Sequence, residues 1–402
     1  MSLMDPAVES ASARPSNPAE GTSAIIQVRE HAPGVDIEDF IRAGEEVFRG
    51  DPNWIAPLRF DLKARLTPGK NPLFEHAEVA LFTAWKSGRL VGRISAQIDY
   101  EHLRIHRDGA GFFGFFDTID DVDVGRALLL AAEGWLKSKG AQSMRGPMSL
   151  SINEEVGLLV DGFEHPNAMM MAHSRDWQGA IAEAYGLTKL KDLYSWSYEA
   201  KPELPKRVEK AWQSVQSLPE VRFRSVDKKN FRRELDTLLE IFNDAWSENW
   251  GFVPATPNEV RKSGDEMKLI LDPALAFFAE IDGRPVGVCV GLPNINQATK
   301  DLNGRLFPTG FAKLLYRVKV EGLSQARLMM LGLRKELRGV KRYGALSTAM
   351  YAELAKRGYA KGYRWCELSW TLEDNQRINL GIRAMGGKRY KTYRIYQREV
   401  AR

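Results

Sequence analysis

One order of elements is written twice into this chain, and that repetition narrows the folds open to it more than any other feature. In the first half an apolar run beginning near Ala24 (AIIQVRE) reads as a strand, followed by an acidic helix over 36–49. From Glu78, VALFTAWKSGRLVGRISAQID is two apolar runs joined at Lys86-Ser87-Gly88, a hairpin signature. The strand GAGFFGFFDTI then leads into a helix with Leu128, Leu129, Ala132, Trp135 and Leu136 at helical spacing, ended by Gly140. After the block MRGPMSLSINEEVGLLVDGF, the helix DWQGAIAEAYG and the strand LKDLYSWSYEA close this half.

The second half repeats the order. VRFRSVDKK reads as a strand, and the next helix carries Leu235, Leu238, Leu239 and Phe242 on one face. A helix around Glu259 to Leu271 precedes ALAFFAEIDGRPVGVCVGLP, two strands joined by Asp282-Gly283. LMMLGL, the basic turn RKELRGVKR, a helix, the strand WCELSW, a short helix and KTYRIYQ complete it. This alternation predicts an α/β (α+β) chain of two tandem domains, 24–200 and 208–402, each a mixed sheet flanked by helices. The segment 201–207 (KPELPKR) is the expected linker, because Pro202 and Pro205 interrupt regular structure. Residues 1–23, rich in Ala, Ser and Pro, read as a disordered leader.

Composition excludes several classes. With 57 basic and 52 acidic residues the net charge is only +5, too weak and dispersed for a nucleic-acid binder. No run of about 18 uninterrupted apolar residues is present, so no spanning helix is expected and the default compartment is the cytoplasm. Cys289 and Cys366 lie in apolar runs without metal-ligand spacing, so they read as core thiols and no metal site is expected.

The two strand-to-helix turns differ in a way that bears on function. The first, DTIDDVD, places Asp117, Asp120, Asp121 and Asp123 ahead of a helix, where they would repel a phosphate. The second carries Arg334, Lys335, Arg338, Lys341 and Arg342 against Glu336, with Gly339 and Gly344 in reach. If either copy binds a phosphorylated ligand it is the second; the plain alternative is a solvated basic loop.

The order of elements, the hairpin IDGRPVG, the turn after LMMLGL, the Asn-containing segment after WCELSW and the closing KTYRIYQ resemble the GNAT superfamily of N-acyltransferases. The resemblance covers the whole ordered chain as two such domains. More narrowly, LNGRLFP, LEDNQ and GPMSLSINEEVGLLVDGF resemble a bacterial tandem-GNAT group similar to bacterial ceramide synthases, which acylate a long-chain amine. It implies a sheet that splays open after its fourth strand, with acyl-CoA or acetyl-CoA as co-substrate and its pyrophosphate on the turn from Leu333 and Arg334 through Arg338, Gly339, Lys341, Gly344 and Ala345. Two departures stand out. Counted from Arg338, Lys341 and Tyr343 stand where the superfamily has small residues, which opens the possibility of an acyl carrier protein as donor. Asn375 matches the start of the last helix, but Ile382 stands where a tyrosine often protonates the departing thiolate; Tyr390, Tyr393 and Tyr396 are the nearby phenols.

Amine acylation needs a base and a polarised carbonyl. For the base the second half offers Glu367, Glu373 and Asp374: Glu373 and Asp374, with Asn375, lie at the expected mouth of the splay, and a solvent-facing strand position is the alternative for Glu367, as a solvated turn capped by Asp374 or Asn375 is for the others. In the first half, Asn153 and Glu154 are candidate substrate contacts, and Glu155 or His173 is a candidate base from across the interdomain cleft. The segment 302–330 places Phe311, Leu314, Leu315 and Val318 on one helical face beside Lys313, Arg317 and Lys319, a pattern that suits a peripheral membrane contact or a cover over an acyl chain. The reading that follows is an N-acyltransferase acting on a small-molecule or lipid amine. Its rivals are an activity similar to Fem-type aminoacyl transferases and a non-catalytic acyl-CoA or lipid-binding protein.

Overall fold

The computed structural model describes residues 25–400, so the expected leader lies outside the described residues. The first half runs β1 (Ile26–His31), α1 (Glu38–Val47), α2 (Arg59–Arg65), β2 (Ala77–Lys86), β3 (Arg89–Asp99), α3 (Tyr100–His106), β4 (Ala110–Thr118), α4 (Val122–Ser138), β5 (Ser143–Gly146), β6 (Met148–Ser149), β7 (Glu155–Val156), β8 (Leu158–Asp161), α5 (Trp177–Ala184) and β9 (Thr188–Glu199). The second runs α6 (Lys206–Gln216), β10 (Val221–Ser225), α7 (Phe231–Ala245), α8 (Pro257–Lys268), β11 (Ala276–Ile281), β12 (Arg284–Pro293), α9 (Asn296–Thr299), α10 (Gly310–Tyr316), β13 (Gln325–Leu333), α11 (Leu346–Ala360), β14 (Trp365–Leu372), α12 (Gln376–Ala384) and β15 (Lys388–Glu399).

Both hairpins form where the turn residues require. Ser87 and Gly88, and likewise Asp282 and Gly283, all take positive φ, the backbone a two-residue hairpin loop needs. The apolar stripe of α4 packs Leu128, Leu129, Ala132 and Leu136 on β2 and β3, and Leu346, Ala349 and Met350 of α11 do the same for the second half. Among the described residues no helix is long and apolar enough to cross a membrane.

The sheet is one mixed surface in the order β1-β2-β3-β4-β5-β15-β9-β14-β13-β12-β11-β10, with β8 beside β15. Its centre is an exchange that pattern repetition does not reveal. The last strand of the first half, β9, pairs with β14, and the last strand of the chain, β15, pairs with β5 and β8. β9 and β15 also pair with each other along most of their lengths. A layer formed by the excursion from Met148 to Met171, including Val156, Leu159 and Ala168, covers Leu193, Tyr393 and Ile395 on one face of these central strands.

Because each half contributes a strand to the other's edge, the two should not melt separately. Unfolding followed by far-ultraviolet circular dichroism and by tryptophan fluorescence is expected to give one coincident transition; two resolved transitions would contradict the exchange.

Candidate active site

Each half contains one parallel strand pair that opens. β4 and β5 pair over Ala110–Phe112 and then part, and β13 and β14 pair over Gln325–Leu328 with Trp365–Leu368 and then part. The first opening is filled by its own chain. The Met148 carbonyl sits where a Cβ on Gly114 would be, and it accepts from Gln97 Nε2 at 2.5 Å. Ser149 Oγ takes the Phe115 N–H at 3.3 Å, Gln178 Nε2 donates to the Phe116 carbonyl at 2.8 Å, and Trp177 Nε1 donates to Thr118 O at 2.9 Å. At the following helix, Asp121 accepts the N–H groups of Asp123 and Val124, so the anion site of α4 is already occupied by a side-chain carboxylate.

The second opening keeps its groups available. Beyond Leu328, β13 pairs with β12 alone, and α11 begins at Ala345 without a side-chain cap. Gly339 has φ +81 and open space where a Cβ would stand, and at Gly344 only the Lys341 carbonyl comes as near as 3.4 Å, so neither position blocks approach to the helix start. The basic residues of this turn are partly neutralised by α6–α8 neighbours that the sequence did not associate with them. Arg334 pairs with Glu240 at 3.0 Å, Arg338 pairs with Glu248, Arg342 pairs with Glu220 at 2.6 Å, and the Lys335 N–H donates to Asp244 at 2.7 Å. Lys341 is exposed and has no ion-pair partner among the described residues, and Leu333 and Ala345 flank the turn half-buried.

At the apex of this opening lies a buried polar cluster. Arg327 and Glu367 are register partners on adjacent strands and point to the same face. Glu367 has no exposed surface, which removes the solvent-facing alternative for this residue: the first-half excursion covers that face of the sheet. Its carboxylate accepts from Ser369 Oγ and from the Tyr390 hydroxyl, and Ser369 Oγ in turn accepts from Arg327 Nε at 3.0 Å. Arg327 also donates to the Met169 carbonyl, and Lys391 Nζ donates to the Pro166 carbonyl at 3.0 Å. Tyr393 OH and Ser195 Oγ are buried without a partner.

The electrostatics follow from burial. Loss of water, then the neighbouring Glu367 carboxylate, push the Tyr390 phenol far up, and the same causes hold Tyr393 protonated. Burial pulls the Lys391 ammonium down to about 8, against the opposing pull of Glu367. On the other side of the same strands lies a small, partly open apolar pocket lined by Ala326, Leu368, Tyr351, Ala355, Gly358 and Trp365.

The residues singled out from sequence are distributed around this cluster. Glu154 and Glu155 share Arg65, at 2.7 and 2.8 Å, and burial pushes the Glu154 carboxyl up. Asn153 Nδ2 donates to the Val253 carbonyl at 3.3 Å, so the block does meet the second half. His173 is held by Asp51 at 3.0 Å, and burial pushes its pKa down, leaving the ring neutral. Glu373 accepts the Asp192 N–H at 3.0 Å and Lys189 at 2.7 Å, Asp374 binds Lys191 at 2.7 Å, and Asn375 caps α12 through the Ile378 N–H. Ile382 is packed in the core against Gly387, out of reach of an acid's role. Arg327 and Lys391 went unnoticed in the sequence; the available signal was a charged residue at an inward strand position, alternating with Ala326 and Leu328 or preceding Tyr393. Among the described residues no group of three or more His, Cys, Asp or Glu side chains could hold a metal ion.

Lys391 supplies a stability test. Between pH 8 and its ordinary 10.5 the folded chain binds fewer protons at this site than the unfolded chain, so stability should rise as pH climbs through that window. Lys391→Met is expected to keep or raise the thermal midpoint at neutral pH and to flatten that rise; a lower midpoint with the rise intact would contradict the assignment.

No family model matches the chain. The chain is 40% identical over 384 residues to a protein named bacterial ceramide synthase from Caulobacter vibrioides (strain NA1000 / CB15N), covering 95% of this chain and 99% of that one. It is 39% identical over 371 residues to Protein YghO of Escherichia coli (strain K12), covering 91% and 93%. Among solved structures it resembles a tandem GNAT protein from the clavulanic acid biosynthesis pathway (TM-score 0.55, 14% identity, 94% and 99% covered) and a GCN5-related N-acetyltransferase from Sphaerobacter thermophilus (TM-score 0.52, 15% identity, 94% and 96% covered). With two copies of the strand pattern merged in one continuous sheet and relatives matched over nearly their whole length, the chain belongs to the tandem-GNAT acyltransferase family that includes the bacterial ceramide synthase of Caulobacter vibrioides.

Proposed function

We propose that this acyltransferase moves a long acyl chain from acyl-CoA to the amino group of a lipid-like amine, and that the second copy carries out the transfer. The observation that carries this reading is the contrast between the two openings: the first is plugged by Met148 and capped by Asp121, while the second is open above a buried Arg327–Glu367 cluster. The uncapped start of α11, with Gly344, Ala345 and the unpaired Lys341, is the site proposed for the donor's phosphates. The donor supplies an activated thioester. Glu367 is the proposed base for the attacking ammonium, held in place by Tyr390 and Ser369. Tyr393, protonated and unpartnered, is the group proposed to donate a proton to the leaving sulfur in place of the tyrosine that Ile382 replaces. Glu155 and His173, each committed to a partner, support the covering layer in this reading, and Glu373 and Asp374 fasten β14 to β9.

The apolar pocket behind the cluster supports a donor with carbons beyond acetyl by its chemistry rather than its size. Ala326, Ala355 and Gly358 line it, it opens to the surface, and its walls carry little that would favour a polar group. The amine acceptor and the lipid character of the product are supported by the name of the Caulobacter relative.

Two measurements test the reading. Glu367→Gln, which preserves shape, is expected to lower kcat for acyl transfer by about 10²–10⁴-fold while leaving acyl-CoA affinity unchanged; unaltered turnover would remove Glu367 from the chemistry. Ala355→Phe is expected to lower the kcat/KM ratio of long-chain over acetyl donor by about 10–100-fold, as loss of a few buried methylenes does. An unchanged ratio would place the tail elsewhere.

A further inference from the structure

The segment between β12 and β13 leaves a large apolar surface uncovered. Phe307, Val320 and Phe311 are 84%, 68% and 50% exposed, and Leu315 and Tyr316 on α10 are exposed beside them. Phe60 of α2, 62% exposed, follows Arg59, whose N–H ties α2 to the start of this segment by donating to the Gly304 carbonyl at 2.9 Å. Single exposed apolar residues are ordinary, but five large ones exposed within fifteen residues of one segment, with a further exposed phenylalanine on the helix tied to its start, are not.

Charge defines what such a surface fits. Residues 300–321 contain five basic and two acidic side chains, and one of the acids, Asp301, is already bound by Arg317. Lys300 and Lys319 are exposed and have no ion-pair partner among the described residues. Aromatic and aliphatic side chains flanked by free cations match the boundary between anionic headgroups and acyl chains.

The root of this segment is tied to the cover of the active site. Asn294 Oδ1 accepts the Met169 N–H at 3.0 Å, and Asn296 Nδ2 donates to the Asn167 carbonyl at 2.9 Å. The same stretch gives the Met169 carbonyl to Arg327 and the Pro166 carbonyl to Lys391. A surface pressed on Phe307 and Phe311 therefore lies one short run of chain from the layer that roofs the polar cluster.

We infer that α10, its flanking residues and Phe60 form a docking face for an anionic lipid membrane, positioned so that a lipid acceptor reaches the cluster without crossing water. The docking itself does not depend on the identity of the acceptor. It is tested with the full chain by co-sedimentation with vesicles of pure phosphatidylcholine and of phosphatidylcholine mixed in equal parts with phosphatidylglycerol. The expected result is binding to the anionic vesicles that weakens as salt rises, falls by about tenfold or more in the Phe307→Ser/Phe311→Ser double variant, and falls again in Lys313→Glu/Lys319→Glu. All four positions are exposed, so an unchanged thermal midpoint certifies that each variant is folded. No binding by the native chain, equal binding to both kinds of vesicle, or binding indifferent to the phenylalanine pair overturns the inference. Acyl transfer to a water-soluble amine, measured on the same variants, separates the two proposals: it should persist where membrane binding is lost.

Discussion

The exchange of β9 and β15 is the constraint from which the rest of the architecture follows. An ordinary duplication would leave two sheets side by side, each with its own last strand. Here β15 carries Tyr390, Lys391 and Tyr393 into the centre, and β9 brings Ser195 beside them, so that groups from distant parts of the chain surround Glu367. None of these side chains would be buried if β15 ended at the rim of its own half, and without burial the Lys391 ammonium would keep its ordinary affinity for protons.

Burying a guanidinium, an ammonium and a carboxylate together is costly unless each is satisfied by hydrogen bonds. Arg327 is satisfied by Ser369 and Met169, Glu367 by Ser369 and Tyr390, and Lys391 by Pro166. Two of those acceptors are carbonyls of the first-half excursion, so the first copy serves as the lid of the second. Its own opening is closed by Met148 and its helix start by Asp121, so the duplicated pattern leaves one of its two openings free, the one in which the transfer is proposed.

Much of this was legible in the sequence. Both hairpins, α4, α7, α11 and the acid–base contrast between the two turns follow from local pattern, because turn residues, helical spacing and caps act within a few positions. The strand exchange was not legible, since β9 and β15 look like any alternating strand and their partners are chosen by tertiary packing. For the same reason the sequence leaves Glu367 between a candidate base and a solvent-facing residue: alternation gives two faces but does not say which one a covering segment will dry. The basic turn shows the complementary limit. Arg334, Arg338 and Arg342 read as free cations in the sequence, yet Glu240, Glu248 and Glu220 reach them across the fold and, among the described residues, leave Lys335 and Lys341 without an ion-pair partner.

The central claim is that a donor enters the second opening and not the first. Hydrogen exchange of the full chain with and without a long-chain acyl-CoA addresses it directly, because free strand and helix-start N–H groups exchange quickly until they are bound. The account predicts slowed exchange at Met329 to Leu333 of β13 and at the first turn of α11, with residues 113–125 unchanged. Protection at 113–125, with β13 and α11 unaffected, would contradict it.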